Sequence, residues 1–353
     1  MAGGFIETVS LDTQVFVDTG FCLNSKAFQA LKDYCTSGRL KLVMSDITVR
    51  EIRANIRKYV AAEVLLQRQF CNKADVLYNS AIPSVKASMV KFDEKAIADD
   101  LCNQFDHFLT ECNAEILDST SLSAGDVLDK YFAEEPPFGK KEEKKHEFPD
   151  AFAIQALSEW AENHDIEMFA VSEDKLFFEA CEKAQNLIPK KTLAEVLDHV
   201  ASDDNALADF LRAQTMARID EIAEQVTEEF EDQNFWVEDE DGDATVEVTD
   251  IVPTGDPEII EIDEEEAALQ YTSDVKYTAH LSYKENSIYS EGILVYFEDR
   301  NEDVHRTYKV TVQVEVMFEH TDPDKFDIVA VSLIDMPKGF GIKTDFNEGW
   351  PWK

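Results

Sequence analysis

Basic residues are scarce in this chain. Lys and Arg together number 33 against 73 Asp and Glu, a formal net charge of -40 at pH 7. Phosphate attraction needs cationic side chains, so binding nucleic acid over a broad basic surface is excluded. The shortage is uneven: residues 1 to 200 hold 22 basic and 34 acidic residues, and 201 to 353 hold 11 and 39. A second lack concerns metal-binding cysteine. The six cysteines (Cys22, Cys35, Cys71, Cys102, Cys112, Cys181) all lie within residues 1 to 200, with no CxxC pair and no His and Cys at zinc-ligand spacing. Reduced thiols are expected. Long apolar runs are missing too. No stretch approaches the roughly 18 residues of a membrane span, and Met1 to Thr8 have no basic segment followed by an apolar one. These absences predict a cytoplasmic protein with no membrane partner.

From Val15 to His199, short apolar runs alternate with stretches of helical period, the pattern of a parallel sheet with crossover helices. Val15-Phe16-Val17, Leu40 to Met44, Met168 to Val171 and Asn186 to Pro189 are the predicted strands. Thr48-Val49-Arg50-Glu51 fits a capping box opening a helix to about Cys71, and Ala74 to Phe132 reads as a helical insertion. Glu134 to Lys145, with Pro136, Pro137 and Gly139, reads as an exposed loop. Leu207, Leu211, Ile219, Ile222, Val226 and Phe230 recur at three- and four-residue steps and predict one amphipathic helix. Glu228 to Glu266 has the composition of a solvated acidic linker. The period then changes to two, at Val275-Tyr277-Ala279-Leu281, Ile293-Val295-Phe297, Val310-Val312-Val314-Val316 and Ile328-Ala330-Ser332, which predicts a smaller, mainly antiparallel β domain. The expected division is 1-200 for the α/β domain, 201-270 for helix and acidic linker, and 271-353 for the β domain.

Four acids stand out against this frame. Asp18 closes the first apolar run, Glu51 follows the second, Asp174 follows Met168 to Val171, and Asp150 opens the amphipathic stretch Ala151 to Trp160. Ligand sites in open parallel sheets collect at the carboxyl ends of strands. Carboxylates gathered there repel one another unless a cation neutralises them, so a divalent metal site is expected. Arg50, Arg53, Arg57 and Lys58 form a basic stripe beside Glu51, and Lys145 could add to it from the loop.

VFVDTGF, ITVREI, KKHEFPDAFAI and AVSEDKLF together resemble the motifs of the PIN domain, a metal-dependent nuclease fold, and of its larger bacterial members with an added C-terminal domain. The resemblance covers a little over half the chain. It implies that Asp18, Glu51, Asp150 and Asp174 are the catalytic and metal-binding acids, with Ser172 in the small hydroxyl position; Thr19 and, as a fifth acid, Glu147 are further candidates for a supporting role. It implies Mg²⁺ or Mn²⁺ as cofactor, oxygen ligands suiting those hard cations. The implied activity is phosphodiester hydrolysis leaving a 5′-phosphate and a 3′-hydroxyl, on single-stranded RNA ahead of DNA, and by analogy a role in bacterial defence or growth control. One departure is Gly20, where the family usually has Asn two residues after its first aspartate. The C-terminal sheet is expected to serve as a protein-partner or homo-oligomer module.

Each acid also has a plainer explanation. Asp18, Asp150 and Asp174 could be helix caps or turn residues, and a Glu three residues after Thr48 is expected in a capping box without any catalytic duty. Order and context favour the metal site. The alternative function is a binding or regulatory protein with the fold and without the activity.

Overall fold

The computed structural model describes residues 6–139, 147–202, 205–238, 241–288, 294–319, 321–337 and 339–344. The chain divides into two compact units, Met1–Val200 and Ala201–Lys353. Among the described residues no helix is long and apolar enough to cross a membrane.

The first unit is built from β1 (Glu7–Leu11), α1 (Thr13–Asp18), α2 (Lys26–Ser37), β2 (Leu40–Ser45), α3 (Asp46–Lys73), α4 (Asp75–Tyr78), α5 (Pro83–Ser88), α6 (Glu94–Glu111), β3 (Glu115–Leu117), α7 (Ala124–Ala133), α8 (Phe148–His164), β4 (Met168–Val171), α9 (Lys175–Lys183), β5 (Leu187–Lys190) and α10 (Leu193–Ala201). Its five strands lie in the order β3-β2-β1-β4-β5, and every pairing is parallel. The chain leaves β1 to one side for β2 and later returns to its other side for β4. The carboxyl end of β1 is therefore a topological switch point, where a crevice opens outside the strand tips.

Val15 to Val17, predicted as a strand, belongs to helix α1. The first strand lies eight residues earlier, in ETVSL, whose Thr8 and Ser10 are buried along with Val9 and Leu11. Period alone does not separate a short apolar run in a helix from a buried strand. Here the Asp12 side chain accepts from Thr13 N and starts a helix. Only Phe16 of α1 is fully buried, and its ring stacks on Phe28 at 5.3 Å and meets Phe105 and Phe108 edge-on at 5.4 and 6.2 Å. That aromatic cluster fixes α1 over the strand tips. Helix α3 buries Val49, Ile52, Ile56, Val60 and Val64 at three- and four-residue steps. Helix α8 buries Ile154, Leu157, Trp160 and Ala161 against Val43, Met168, Ala170 and Leu187 of the strands.

The second unit comprises α11 (Asn205–Ala217), α12 (Ile219–Glu231), β6 (Phe235–Val237), β7 (Asp241–Pro253), β8 (Glu258–Ile262), β9 (Glu266–Ile288), β10 (Leu294–Phe318), β11 (Phe326–Ile334) and β12 (Phe340–Ile342). Its seven-stranded sheet runs β11-β10-β9-β7-β6-β12, with β8 also on β9, and is antiparallel except for β6 with β12. The single amphipathic helix expected from Leu207 to Phe230 is two helices. Thr215 interrupts the apolar stripe with a buried hydroxyl that donates to Leu211 O, and the chain turns at Arg218. The Phe230 ring packs beside Phe235, Tyr277 and Phe340.

The acidic segment Glu228 to Glu266, expected to be a linker, supplies β7 and β8. In β7, Asp243, Glu247 and Asp250 are exposed while Ala244, Val246 and Val248 are half-buried, so these three acids lie on the exposed side of a paired strand. Composition suggested solvation; the two-residue alternation prevailed. Val275, Tyr277, Ala279 and Leu281 of β9 and Val310, Val312, Val314 and Val316 of β10 are buried as their period predicts. Ile293 lies outside the described residues.

Because Phe16 joins α1 to the aromatic cluster, Phe16→Ala should destabilise the first unit by about 3–5 kcal/mol. Urea denaturation followed by circular dichroism reads this. A loss below about 1 kcal/mol would show that the cluster does not hold α1.

Candidate functional site

The site begins at the tip of the central strand. Asp12 is the first residue after β1, and its backbone N–H donates to Val171 O of β4 at 3.0 Å. One carboxylate oxygen, Oδ1, accepts from Thr13 N at 2.6 Å, and the other, Oδ2, accepts from the Ser172 hydroxyl at 2.8 Å. Ser172 is buried and also accepts from Asp174 N at 3.1 Å, so one serine ties together the ends of β1 and β4. Asp174 Oδ1 accepts from Leu176 N and Phe177 N, both at 2.8 Å, and caps α9.

Two helices complete the crevice. Helix α3 is capped by Ser45, whose Oγ accepts from Thr48 N at 3.0 Å, so the helix starts before the predicted Thr48 box. Glu51 thus sits in the second turn, free of capping duty, and its Oε2 accepts from Thr13 Oγ1 at 3.3 Å. In α8 the N-cap position is Glu147 and Pro149 lies in the first turn, leaving Asp150 inside the helix. The start of α8 is held by Phe148, which stacks on Tyr131 at 5.1 Å and meets Phe138 at 5.0 Å.

Asp12, Asp18, Glu51, Asp150, Glu173 and Asp174 line one cleft of about 520 Å³, together with Thr13, Gln14 and Asn55. None of these lining residues is basic. Burial pushes the Asp150 carboxyl up to about 8, reinforced by repulsion from Asp12, Glu51, Glu147 and Asp174. Glu51 is raised by burial and by Asp12. Asp12 is raised by burial, which outweighs the lowering effect of its hydrogen bonds from Ser172 and Thr13. Behind them the buried Cys181 thiol is also raised, by burial and then by Asp12 and Asp150. The physical cause is common to all: acidic groups withdrawn from water and close to other acids.

Among the described residues, no three His, Cys, Asp or Glu side chains converge as a finished metal cage. The donor set nevertheless fits a hard divalent cation. Its charged donors are all carboxylate, and such ions keep several waters and take few direct protein ligands.

The structure brings Asp18, Glu51, Asp150 and Asp174 to one cleft, and it changes the place of Asp18. That residue ends α1, is exposed, and accepts a hydrogen bond from Gln14 Nε2. The strand-tip position belongs to Asp12, which sequence reasoning missed because β1 is half polar. A usable signal was present: Val9 and Leu11 alternate into an aspartate followed two residues later by a carboxamide, Gln14. Gly20 has a different task. With φ at +58° it turns the chain out of α1, and Phe21 follows at +60°. Thr19 caps the same helix through its hydroxyl, which donates to Phe16 O at 3.1 Å, and it does not line the cleft. Glu147 acts on Asp150 by charge.

The basic stripe is partly neutralised. Arg50 pairs with Asp46 at 2.5 Å and Arg53 with Asp106 at 2.6 Å, while Arg57 donates to Arg53 O at 3.4 Å. Lys58 lies over the Tyr59 ring, 5.9 Å from its centroid. Lys145 lies outside the described residues.

Residues 9–177 match the family model of the PIN domain. No curated protein and no solved structure matches the chain. PIN domains are nuclease-type domains that generally use divalent metals and act on nucleic acid. With a parallel sheet in the order 3-2-1-4-5 and acids gathered at its switch point, the first unit of this chain is a PIN domain.

Proposed function

We propose that the chain is a divalent-cation-dependent nuclease hydrolysing phosphodiester bonds, with single-stranded RNA its first substrate and DNA second. The observation that carries this is the six-carboxylate cleft at the tip of β1, with Asp12 and Asp150 withdrawn from water and no cationic side chain in the lining. An uncompensated group of that kind is costly to the fold, and its retention is explained by a cation that needs it.

Asp12, Glu51, Asp150 and Asp174 are the residues that would hold Mg²⁺ or Mn²⁺, and Asp18 stands at the rim. When bound, such an ion neutralises the phosphate charge and makes an attacking water more acidic. The chain's own contribution is orientation. Ser172 fixes one Asp12 oxygen and Thr13 holds Glu51, so neither carboxylate needs to reorganise when substrate arrives. Asp174 serves two ends at once, since capping occupies its Oδ1. Asn55, one turn beyond Glu51 on α3, places a neutral amide on the wall where a substrate phosphate would otherwise meet only acids.

Asp12→Asn removes one ligand charge at constant size, and cleavage of a labelled single strand in Mn²⁺ should fall roughly 10²-fold or more. Asp18→Asn should cost less, because that residue is exposed at the rim. Wild-type rates in the Asp12→Asn protein would reject the assignment, and a purified wild type that cuts neither RNA nor DNA would favour a binding protein with the PIN fold.

A second expectation concerns pH. In the cation-free fold the Asp150 carboxyl titrates near 8 against an ordinary 3.8, so between those values the folded chain retains a proton that the unfolded chain releases. Stability should therefore fall as pH rises from 3.8 toward about 8 in the presence of chelator. Added Mn²⁺ should restore it most at the upper end, and Asp150→Asn should flatten the dependence. A melting temperature in chelator that instead climbs steadily over this range would contradict the account.

A further inference from the structure

The two elements that wall the cleft also bring a pair of aromatic rings together just outside it. On α3, Glu51 and Asn55 line the cleft and Tyr59 is the next residue at the same four-residue step, about 6 Å further along the helix axis. From the other wall, Asp18 lines the cleft at the end of α1 and Phe21 follows three residues later. The left-handed backbone at Gly20 and Phe21, closed by Phe21 N donating to Phe16 O at 2.8 Å, turns Phe21 toward α3. Its ring meets Tyr59 at 5.9 Å with an interplanar angle of 62°. Phe21 is half-buried and braces the pair, while Tyr59 remains 41% exposed. Lys58, on the Glu51 face of α3, carries its ammonium 5.9 Å from the Tyr59 ring.

A held aromatic ring that stays partly exposed, with a cation over it, has the chemistry of a stacking platform for single-stranded nucleic acid. Every base has a π-face, and the ammonium can meet the neighbouring phosphate. A partner peptide would have less reason to choose this spot, because the same helix face leads directly into the carboxylate cleft. We propose that Tyr59, braced by Phe21 and flanked by Lys58, stacks an unpaired base of the substrate strand one nucleotide step or so outside the carboxylate cleft, and so selects single strands. The inference rests on the nuclease function proposed above and adds a binding subsite to it.

The test uses the full chain carrying Asp150→Asn to suppress cleavage. A fluorescein-labelled single-stranded RNA of about 12 nucleotides and a matched strand lacking all bases are titrated in Mn²⁺ and read by anisotropy. Tyr59→Leu, which keeps apolar bulk and removes the π-face, should weaken binding of the base-containing strand about tenfold and leave the abasic strand unaffected. Tyr59→Phe, which keeps the ring, should bind within about twofold of the parent. Equal affinities for Tyr59→Leu and parent, or equal weakening of both strands, would overturn the platform and leave the nuclease proposal standing. Failure of the parent to bind either strand would overturn both.

Discussion

Anionic oxygens that cannot all stay charged when removed from water govern the first unit. Asp12, Glu51 and Asp150 are each raised by burial, and at Asp150 burial is joined by repulsion from four neighbouring acids. The fold accepts this strain at one place, the tip of the central strand. The aromatic cluster under α1, the Ser172 link between β1 and β4, and the ring packing at the start of α8 all hold acid-bearing segments toward that point. Without a compensating cation the arrangement opposes stability. With one, the same carboxylates become a prepared electrostatic environment for a phosphate.

The plain structural explanations for these acids separate residue by residue. Asp174 does cap its helix, so the commonplace role and the proposed one coexist there. Glu51 does not belong to a Thr48 capping box, because Ser45 takes that position and moves the helix start upstream. Asp150 lies inside its helix, after a cap position that makes no side-chain capping bond. Glu51 and Asp150 were legible from sequence because each lies in the opening turns of a helix recognisable from its apolar residues. Asp12 was not, because its strand alternates Thr and Ser with Val and Leu, while the more apolar Val15 to Val17 drew the strand assignment to itself. The apparent departure at Gly20 follows from that shift of register. Two residues after Asp12 stands Gln14, an amide, and Gly20 is left to turn the chain.

In the second unit the two-residue alternation of Val275 to Leu281 in β9 and of Val310 to Val316 in β10 was plain from sequence, and Val275, Tyr277, Ala279, Leu281, Val310, Val312, Val314 and Val316 are buried. The acidic strands were hidden. In β7 the charge of Asp243, Glu247 and Asp250 lies on the exposed face, and a composition average over both faces resembles a solvated tail, although Ala244, Val246 and Val248 keep the period of a strand. The break between α11 and α12 was equally obscure, because Thr215 can satisfy its own hydroxyl on the helix backbone and leaves the apolar stripe almost continuous.

The same α3 helix that carries Glu51 into the cleft also carries Lys58 and Tyr59 out of it, while the acids Asp46 and Asp106 already neutralise Arg50 and Arg53. Charge complementarity for a phosphate chain must then come chiefly from a bound cation, which makes cation binding at the tip of β1 the central claim. Anomalous diffraction from crystals soaked in Mn²⁺ tests it most directly. The account predicts a manganese peak in the cleft, within coordinating distance of Asp12 and at least one of Glu51, Asp150 and Asp174. A fully formed cleft with no such peak at saturating Mn²⁺, or manganese bound only elsewhere, would contradict it.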